Sequence, residues 1–328
     1  MPISRTPTTE APARPVHPEA PRRPLLARFA TYQAERFPLA GYVPMIVVFT
    51  GSAAAYSRLA RGVTEWIPWE RFAVGAWTSL VLFFLLRVLD EGKDREQDRR
   101  FRPELPVPRG LVTLRALRAL AAALVASVLL LNLLVAPRLL GAVALVLAYA
   151  ALMTAEFGAR RWLRAHPAAY LLSHMAILPL IDFYTTGLDW LAAAAEPPRA
   201  LWLFLAVTYL NGIVVEIGRK LRAPADERTG VDTYTVAWGT RVAPAVWIAT
   251  LGATALVAWL AVQRVGGGAG AAFALVLLAT AAALPALTFL RTPRAASARR
   301  IETASGLWTI SMYLLLGAAP WALRAMRG

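Results

Sequence analysis

Residues 74–113 read VGAWTSLVLFFLLRVLDEGKDREQDRRFRPELPVPRGLVT, and this stretch decides the fold. Together with the few residues before it, the apolar first half reaches the roughly 20 residues that an α-helix needs to cross a bilayer core. The second half changes abruptly to acids, and arginines follow the acids directly. The stretch therefore predicts a membrane-spanning helix that ends in a densely charged segment at the membrane surface.

The composition of the whole chain is typical of a membrane protein. Of 328 residues, 58% are hydrophobic and 17% are charged, with 21 Gly, 23 Pro and no Cys. An average globular protein has about 25% charged residues, so this chain has too few charged groups to cover a soluble enzyme. The lack of Cys excludes disulfides, thiolate catalysis and Cys-ligated metal sites. With three His in total, we also expect no His-rich metal centre.

Nine apolar segments approach the length of a membrane span. They lie at about 39–57, 70–90, 114–135, 138–157, 168–190, 199–217, 241–263, 269–290 and 303–323. Several are rich in small residues, which allow helices to approach closely in lipid. We therefore predict an all-α membrane protein with nine transmembrane helices, in which Pro137 separates the third and fourth spans.

The distribution of Lys and Arg predicts the orientation. With the N-terminus inside, 27 of the 35 basic residues fall in the N-terminal segment and in the loops on its side, 87–118, 158–166, 218–241 and 291–300. The positive-inside rule then predicts a multi-pass protein of the inner (cytoplasmic) membrane, with the N-terminus and the charged segments in the cytoplasm. The net charge of +15 follows from topology and attraction to anionic membrane lipid. We expect no nucleic-acid partner, because no basic stripe alternates with stacking aromatic residues.

The N-terminal segment differs from the rest of the chain. Residues 1–25 contain seven Pro and almost no large apolar residues, a composition that cannot bury a core and predicts disorder. They also lack the apolar region of a secretory signal. We divide the chain into a disordered, basic, Pro-rich cytoplasmic tail and lead-in over 1–38 and a membrane domain over 39–328.

The charged segment after the second span has the chemistry of a diphosphate site. Glu91, Asp94 and Asp98 are three and four residues apart, so on a continuing helix they share one face. Carboxylates suit Mg²⁺, which binds through one or two of them together with substrate phosphates. Arginines that could hold phosphate oxygens follow directly, at Arg99, Arg100, Arg102 and Arg109. The alternative is a solvated loop of salt bridges, since most charge runs are solvated faces.

A second charged segment follows the sixth span. Residues 210–239 read LNGIVVEIGRKLRAPADERTGVDTYTVAWG. Glu216 lies near the membrane boundary, with Arg219 and Lys220 one turn later on the same face, and Asp226 lies in the loop beyond. Because both even-numbered spans end on the same side, we expect the two charged segments to face each other across a helical bundle.

These residues are similar to the motifs of the UbiA superfamily of intramembrane prenyltransferases. The first motif of that family reads N/D-D-x-x-D-x-x-x-D, followed by an Arg-Pro element and a Gly. This sequence matches it with Asp90-Glu91-x-x-Asp94-x-x-x-Asp98, Arg102-Pro103 and Arg109-Gly110. The second motif, an acid-rich stretch before G-[IV]-x-T, is matched by Glu216, Asp226 and Gly230-Val231-Asp232-Thr233. The resemblance covers residues 39–328.

The resemblance implies a fold, a reaction and a set of site residues. The fold is a UbiA-like bundle around a central cavity that opens to the cytoplasmic side. The reaction is transfer of a prenyl group from a prenyl diphosphate to a small-molecule acceptor, an aromatic or quinone precursor, with Mg²⁺ assisting departure of the diphosphate. The implied metal ligands are Glu91, Asp94, Asp98, Glu216 and Asp226. The implied diphosphate contacts are Arg102, Arg109, Lys220 and Arg160.

The sequence departs from the family pattern in two places. Where the second motif usually has a further Asp, this chain offers Arg219 or Lys220, cations that can neutralise diphosphate directly. We therefore place Lys220 in the catalytic set and Arg219 in the substrate-binding set. The Tyr-x-x-x-Lys element after the fourth span has Tyr149, also assigned to substrate binding, but Met153 occupies the Lys position.

The fifth span is polar for its depth. Asp182 lies about 14 residues into it, and His174 lies eight residues earlier on roughly the same face. Ionisable residues inside a membrane usually face a cavity or a partner, so these two could orient or deprotonate an acceptor. The alternative is that Asp182 bonds a neighbouring helix through Asn211 or Asn132. Asn211 is also included in the substrate-binding set.

Two other functions remain open at this point. The same fold and metal acids could cyclise a prenyl diphosphate without a second substrate, as UbiA-type terpene cyclases do. A non-catalytic lipid-binding or transport bundle is the third possibility. The clustering of acids on one membrane side argues against transport, because a permeation path has its polar groups near the midplane.

Overall fold

A computed structural model describes residues 24–326, and this part of the chain is helical, with no β-strand in it. The helices are α1 (Leu25–Arg36), α2 (Leu39–Ala60), α3 (Trp69–Lys93), α4 (Arg95–Phe101), α5 (Leu114–Val135), α6 (Leu140–Thr154), α7 (Arg160–Ala165), α8 (Pro167–Met175), α9 (Ile177–Gly187), α10 (Leu201–Arg219), α11 (Tyr234–Gln263), α12 (Ala269–Arg291), α13 (Ala295–Tyr313) and α14 (Ala319–Ala325). Short 3₁₀ turns lie at Pro137–Leu139, Glu156–Gly158 and Pro224–Asp226, and a π-helical stretch at Leu314–Ala318.

The prediction of nine transmembrane helices is confirmed for the described residues, which contain nine helical segments long and apolar enough to span a membrane. Helices α8 and α9 together form the fifth span, and α13, the π-helical stretch and α14 form the ninth. The seventh span, α11, begins earlier than predicted, at Tyr234. The Thr233 hydroxyl caps it there by accepting a hydrogen bond from the Val236 amide at 3.1 Å.

Helix α10 lies at the centre of the bundle and packs against α8, α9, α11 and α13. Close approach needs small residues. A Cβ atom on Gly212 of α10 would lie 2.5 Å from a methyl carbon of Leu178 in α9. Helices α5 and α12, by contrast, expose large apolar side chains such as Leu134 and Phe273. They form the periphery of the bundle, which matches the hydrocarbon of a membrane.

The fifth span is broken between α8 and α9, at Ala176. Pro179 lies in the first turn of α9, and its ring clashes with the carbonyl group four residues earlier, that of Met175. This is the residue at which α8 ends. The break therefore has a local cause in the sequence, and it separates His174 in α8 from Asp182 in α9.

Ordered structure begins earlier than the predicted division of the chain into a tail and lead-in over 1–38 and a membrane domain, because α1 is already helical from Leu25. Residues 25–36 are helical and docked: Tyr32 is buried, and the Phe37 ring that follows stacks on Tyr42 with centroids 3.9 Å apart. At the end of α1, Arg36 Nε donates to Glu91 Oε1 of α3 at 2.7 Å. These contacts bury apolar surface and so favour the ordered helix. Residues 1–23 lie outside the described residues, and their disorder stays a prediction.

One end of the bundle carries a buried ion cluster around Asp189, just beyond α9. Asp189 is 0% exposed. Its carboxylate accepts hydrogen bonds from Ser57 Oγ at 2.8 Å, Arg58 Nη1 at 3.1 Å and Arg61 Nη1 at 2.7 Å. Since α2 ends there and α3 and α10 end at the opposite side, we call the Asp189 end the far side and the other end the site side.

Candidate active site

The two charged segments predicted from the sequence meet on the site side. Gln97 Nε2 in α4 donates to the carbonyl oxygen of Gly230, in the loop after α10, at 2.5 Å. The Phe101 ring packs over the same glycine, leaving no room for a Cβ atom, and Gly230 has a φ of +76°. Only glycine suits both the backbone conformation and the contact. The first motif and the loop of the second motif are therefore in direct contact.

Lys93, at the end of α3, is at the centre of a polar cluster. Its Nζ lies 2.6 Å from the Tyr170 hydroxyl, 3.3 Å from His174 Nε2 and 3.5 Å from Glu156 Oε1. The Tyr170 and His174 rings are stacked, with centroids 3.8 Å apart. The side chains that surround Lys93 come from the segment after α6 and from α8. The cluster therefore joins three spans at one membrane surface.

The second half of the same cluster comes from α10. The buried Glu216 accepts hydrogen bonds from Arg219 Nε at 2.5 Å and forms an ion pair with Lys220 Nζ at 2.9 Å. Lys220 Nζ also lies 5.9 Å from the Tyr170 ring centroid and 5.8 Å from that of Tyr234, within reach of a cation–π attraction. Tyr170 thus lies between the two lysines, Lys93 and Lys220.

Asp90 faces this cluster, and sequence reasoning missed it. Its carboxylate interacts electrostatically with Arg87 on its own helix and also with Asp94, Arg219 and Lys93. Glu91, the residue chosen from the sequence, is turned toward α1 and is paired with Arg36. The spacing of the acids could have indicated Asp90. Asp90 and Asp94 are four residues apart and lie closer to one helix face than Glu91 and Asp94, which are three apart.

The donor set fits Mg²⁺ only together with a substrate. Within residues 24–326, no group of three or more His, Cys, Asp or Glu side chains is placed to hold a metal ion. Asp90, in the last turn of α3, and Asp94, the residue that follows α3, are nevertheless close enough to interact electrostatically, and hard oxygen ligands suit Mg²⁺. Such an ion commonly binds through one or two carboxylates and completes its shell with water and phosphate oxygens. A pair of acids therefore suffices for the fit.

Other residues predicted for the site make different contacts. Asp98 is buried and pairs with Arg102 at 2.9 Å, and burial raises the pKa of its carboxyl. Arg109 Nη2 donates to Glu35 of α1 at 2.7 Å. Arg160 pairs with Glu156 at 3.6 Å. Arg160 thereby reaches the Lys93 cluster, since Glu156 also pairs with Lys93.

Tyr149 and Asp226 also lie apart from the cluster. The Tyr149 hydroxyl donates to the carbonyl oxygen of Ser173 at 2.7 Å, one residue before His174. Asp226 is exposed in the 3₁₀ turn after α10. The neighbouring Glu227 accepts hydrogen bonds from Thr233 at 2.8 Å and Thr235 at 2.5 Å, so it orders the loop.

Asp182 lies deeper in the bundle and is 4% exposed. Its carboxylate accepts hydrogen bonds from the Tyr313 hydroxyl and, at 3.1 Å, from Thr185 Oγ1. The predicted alternative, a bond to Asn211 or Asn132, is wrong. Asn132 instead bonds Tyr184 and Thr78, each at 2.9 Å, and neither amide atom of the buried Asn211 has a hydrogen-bond partner in the described structure.

Comparisons with known proteins identify the family and the fold. A model of the UbiA prenyltransferase family matches residues 46–323. The fold is similar to that of a digeranylgeranylglyceryl phosphate synthase, with a TM-score of 0.60 and 13% identity over 89% of this chain and 99% of that chain. It is also similar to an apo UbiA homologue from Aeropyrum pernix K1, with a TM-score of 0.62 and 19% identity over 87% and 98%. A comparison with curated proteins gives no match.

Proposed function

The chain belongs to the UbiA prenyltransferase family, and on that premise we propose that it transfers a prenyl group from a prenyl diphosphate to an aromatic or quinone-precursor acceptor. The observation that carries the proposal is the convergence of Lys93, Arg219 and Lys220 with Asp90 and Asp94 where two spans end. A diphosphate needs cations and metal-binding acids side by side, and this cluster offers both.

The metal would be held by Asp90 and Asp94. Bound there, Mg²⁺ would neutralise charge on the departing diphosphate. Asp90 takes the place that the sequence analysis gave to Glu91, since Glu91 is paired with Arg36. Glu216 is a positioning residue in this proposal, because Arg219 and Lys220 already hold its carboxylate.

The basic residues act on the leaving group. When the C–O bond of an allylic diphosphate breaks, negative charge grows on the diphosphate, and a cation fixed beside it stabilises that charge. Lys220 is held by Glu216, and Lys93 by Glu156 and the Tyr170 hydroxyl. Both ammonium groups are therefore oriented before substrate binds, which reduces the reorganisation needed in the reaction.

The bundle and the fifth span supply the rest of the mechanism. The prenyl carbocation that forms when the diphosphate leaves would react with water if water were present, so a site surrounded by membrane helices protects it. His174 lies in the Lys93 cluster, and in this proposal it orients an acceptor or takes its proton, whereas Asp182 is bonded to Tyr313 and lies deeper. By the positive-inside rule, the site side faces the cytoplasm, in the inner membrane.

The test is product analysis with purified protein, Mg²⁺ and C10 to C20 prenyl diphosphates. Each is offered alone and with phenols, quinone precursors and, because one structural neighbour is a digeranylgeranylglyceryl phosphate synthase, a prenylglyceryl phosphate. We expect mass spectrometry to show the acceptor plus one prenyl group. A cyclic hydrocarbon or alcohol formed without acceptor would identify a cyclase instead. A complete absence of diphosphate release under all these conditions would contradict both the transferase and the cyclase.

A matched pair of variants ties any product to the site. Asp94→Asn removes a metal-binding charge and preserves shape, so we expect it to abolish product formation while the protein stays folded in detergent. Glu96→Gln is the control, since Glu96 is exposed in the same charged segment. Retained turnover in Asp94→Asn would show that the first motif is a solvated loop.

A further inference from the structure

A separate cavity of about 600 Å³ lies on the site side, between α4, the loop that follows it and the start of α5. Its lining includes Arg95, Arg99, Arg115 and Arg118. It includes none of the residues of the Lys93 cluster. Its volume falls in the range of small-molecule sites and far exceeds one water. The cavity is therefore distinct from the candidate active site.

The lining carries a surplus of positive charge. Glu91 and Asp98 also line the cavity, but each already has a cationic partner, Arg36 at 2.7 Å and Arg102 at 2.9 Å. The four lining arginines make no hydrogen bond or ion pair with any residue of the described structure. All four are exposed residues, so solvent screens part of their mutual repulsion, and an anion bound among them would relieve the rest. Guanidinium forks are suited to phosphate oxygens.

The N-terminus of α5 adds to the same field. Thr113 lines the cavity and caps the helix by accepting a hydrogen bond from the Ala116 amide at 3.2 Å. The earlier amides of the first turn have no acceptor inside the helix. Aligned amides and the helix dipole favour an anion there. The helix end and the four arginines are independent features that select the same charge.

The surroundings favour a lipid as the source of that anion. Helix α5 runs from the cavity into the membrane as a span of 22 residues. Only 17% of its most apolar stretch is buried inside the protein. Its exposed face carries large apolar side chains, among them Leu130, Leu133 and Leu134. A headgroup in the cavity would therefore have its acyl chains beside an apolar helix face.

We propose that this cavity binds the phosphate headgroup of an anionic phospholipid from the leaflet on the site side, separately from the prenyl diphosphate site. The lipid tethers α4 to α5 across the cavity. The proposal does not depend on the transferase reaction, because binding requires neither Mg²⁺ nor substrate.

The experiment is native mass spectrometry of delipidated full-length protein in neutral detergent, titrated with phosphatidylglycerol or phosphatidylcholine. We compare wild type with the double variant Arg115→Gln/Arg118→Gln and with the matched control Arg299→Gln/Arg300→Gln, which removes two exposed arginines from the same side. We expect wild type and control to bind phosphatidylglycerol in preference. The double variant should bind it roughly 30-fold more weakly, at about 1 kcal/mol for each basic residue.

Three results would overturn the proposal. Equal loss of phosphatidylglycerol in both double variants would show diffuse charge attraction and no site. Displacement of the lipid by inorganic phosphate at equal concentration would show that free phosphate is the ligand. The third result is displacement of the lipid by a prenyl diphosphate without Mg²⁺, together with loss of prenyl diphosphate binding in Arg115→Gln/Arg118→Gln. It would make the cavity part of the substrate site.

Discussion

Replacing Asp90 by Asn and, separately, Glu91 by Gln distinguishes two adjacent acids with different surroundings. Asp90 faces Arg219 and Lys93, whereas the Glu91 side chain, 1% exposed, is held by Arg36 at 2.7 Å. Asp90→Asn removes one preorganised charge from the proposed metal and diphosphate site. We expect kcat/KM to fall by about 10²–10³, the typical cost of losing one such contact, with thermal stability nearly unchanged.

Glu91→Gln should show the opposite pattern. It removes a charge-assisted hydrogen bond between α1 and α3, worth about 1.5–3 kcal/mol when largely shielded from water. The partner, Arg36, is 19% exposed, so the lower part of that range applies. We expect a lower melting temperature and a kcat/KM close to wild type. Arg36→Gln leaves the buried Glu91 carboxylate without its cation and should lower stability at least as much.

The assay combines initial rates of diphosphate release with thermal unfolding, followed by intrinsic fluorescence in the same detergent. Both are measured for all three variants at saturating Mg²⁺. The reasoning is refuted if Glu91→Gln abolishes turnover while Asp90→Asn retains it. That result would return Glu91 to the metal site, as the sequence alone suggested, and would require α1 to move away when substrate binds.

Three further predictions follow from single contacts. Lys220→Met should lower kcat by about 10²–10³ with little change in KM, because its charge acts in the transition state; an unchanged kcat in steady-state kinetics would contradict this. Asp189→Asn should destabilise the protein by about 3–5 kcal/mol, since it breaks a buried ion cluster, and a melting temperature equal to wild type would show that the cluster is dispensable. The Arg109 guanidinium holds the pKa of the Glu35 carboxyl below its usual value. The ion pair therefore stabilises α1 at a pH above the usual pKa of Glu, and this stabilisation is lost as the pH falls through the lowered pKa. Hydrogen exchange of α1 should therefore rise in acid, and Glu35→Gln should flatten this pH dependence; an unchanged profile would rule the pair out as its cause.

The membrane architecture could be predicted because the bilayer imposes a simple rule. Each span needs about 20 apolar residues with every backbone group bonded internally, and the nine apolar segments met that rule. The ends of the helices were less certain. Helices α11 and α13 begin before the apolar segments predicted for them. The Thr233 hydroxyl caps α11, and α13 begins after Arg294, whose amide donates to Ser297 Oγ in the first turn.

The site could be predicted in its location but only partly in its residues. Motif spacing placed the acids at the ends of two spans, and the structure brings Lys220 and Glu216 together there. The pairing of Glu91 with Arg36 could not be foreseen, because it depends on the docking of α1. The contacts of Lys93 with Tyr170 were equally hidden, since the two residues are far apart in sequence and meet only through tertiary packing.

The Asp189 cluster has a mechanical consequence for the bundle. On the far side, a fully buried carboxylate links the end of α2 to the segment after α9 through Arg58 and Arg61. On the site side, the ion pairs involve partly exposed side chains such as Arg219 and Lys220, which water can replace at lower cost. The Asp189 cluster therefore holds the helices together more firmly at the far side than the ion pairs do at the site side. If the proposed prenyl diphosphate binds between the helices, we expect them to spread at the site side and pivot about Asp189.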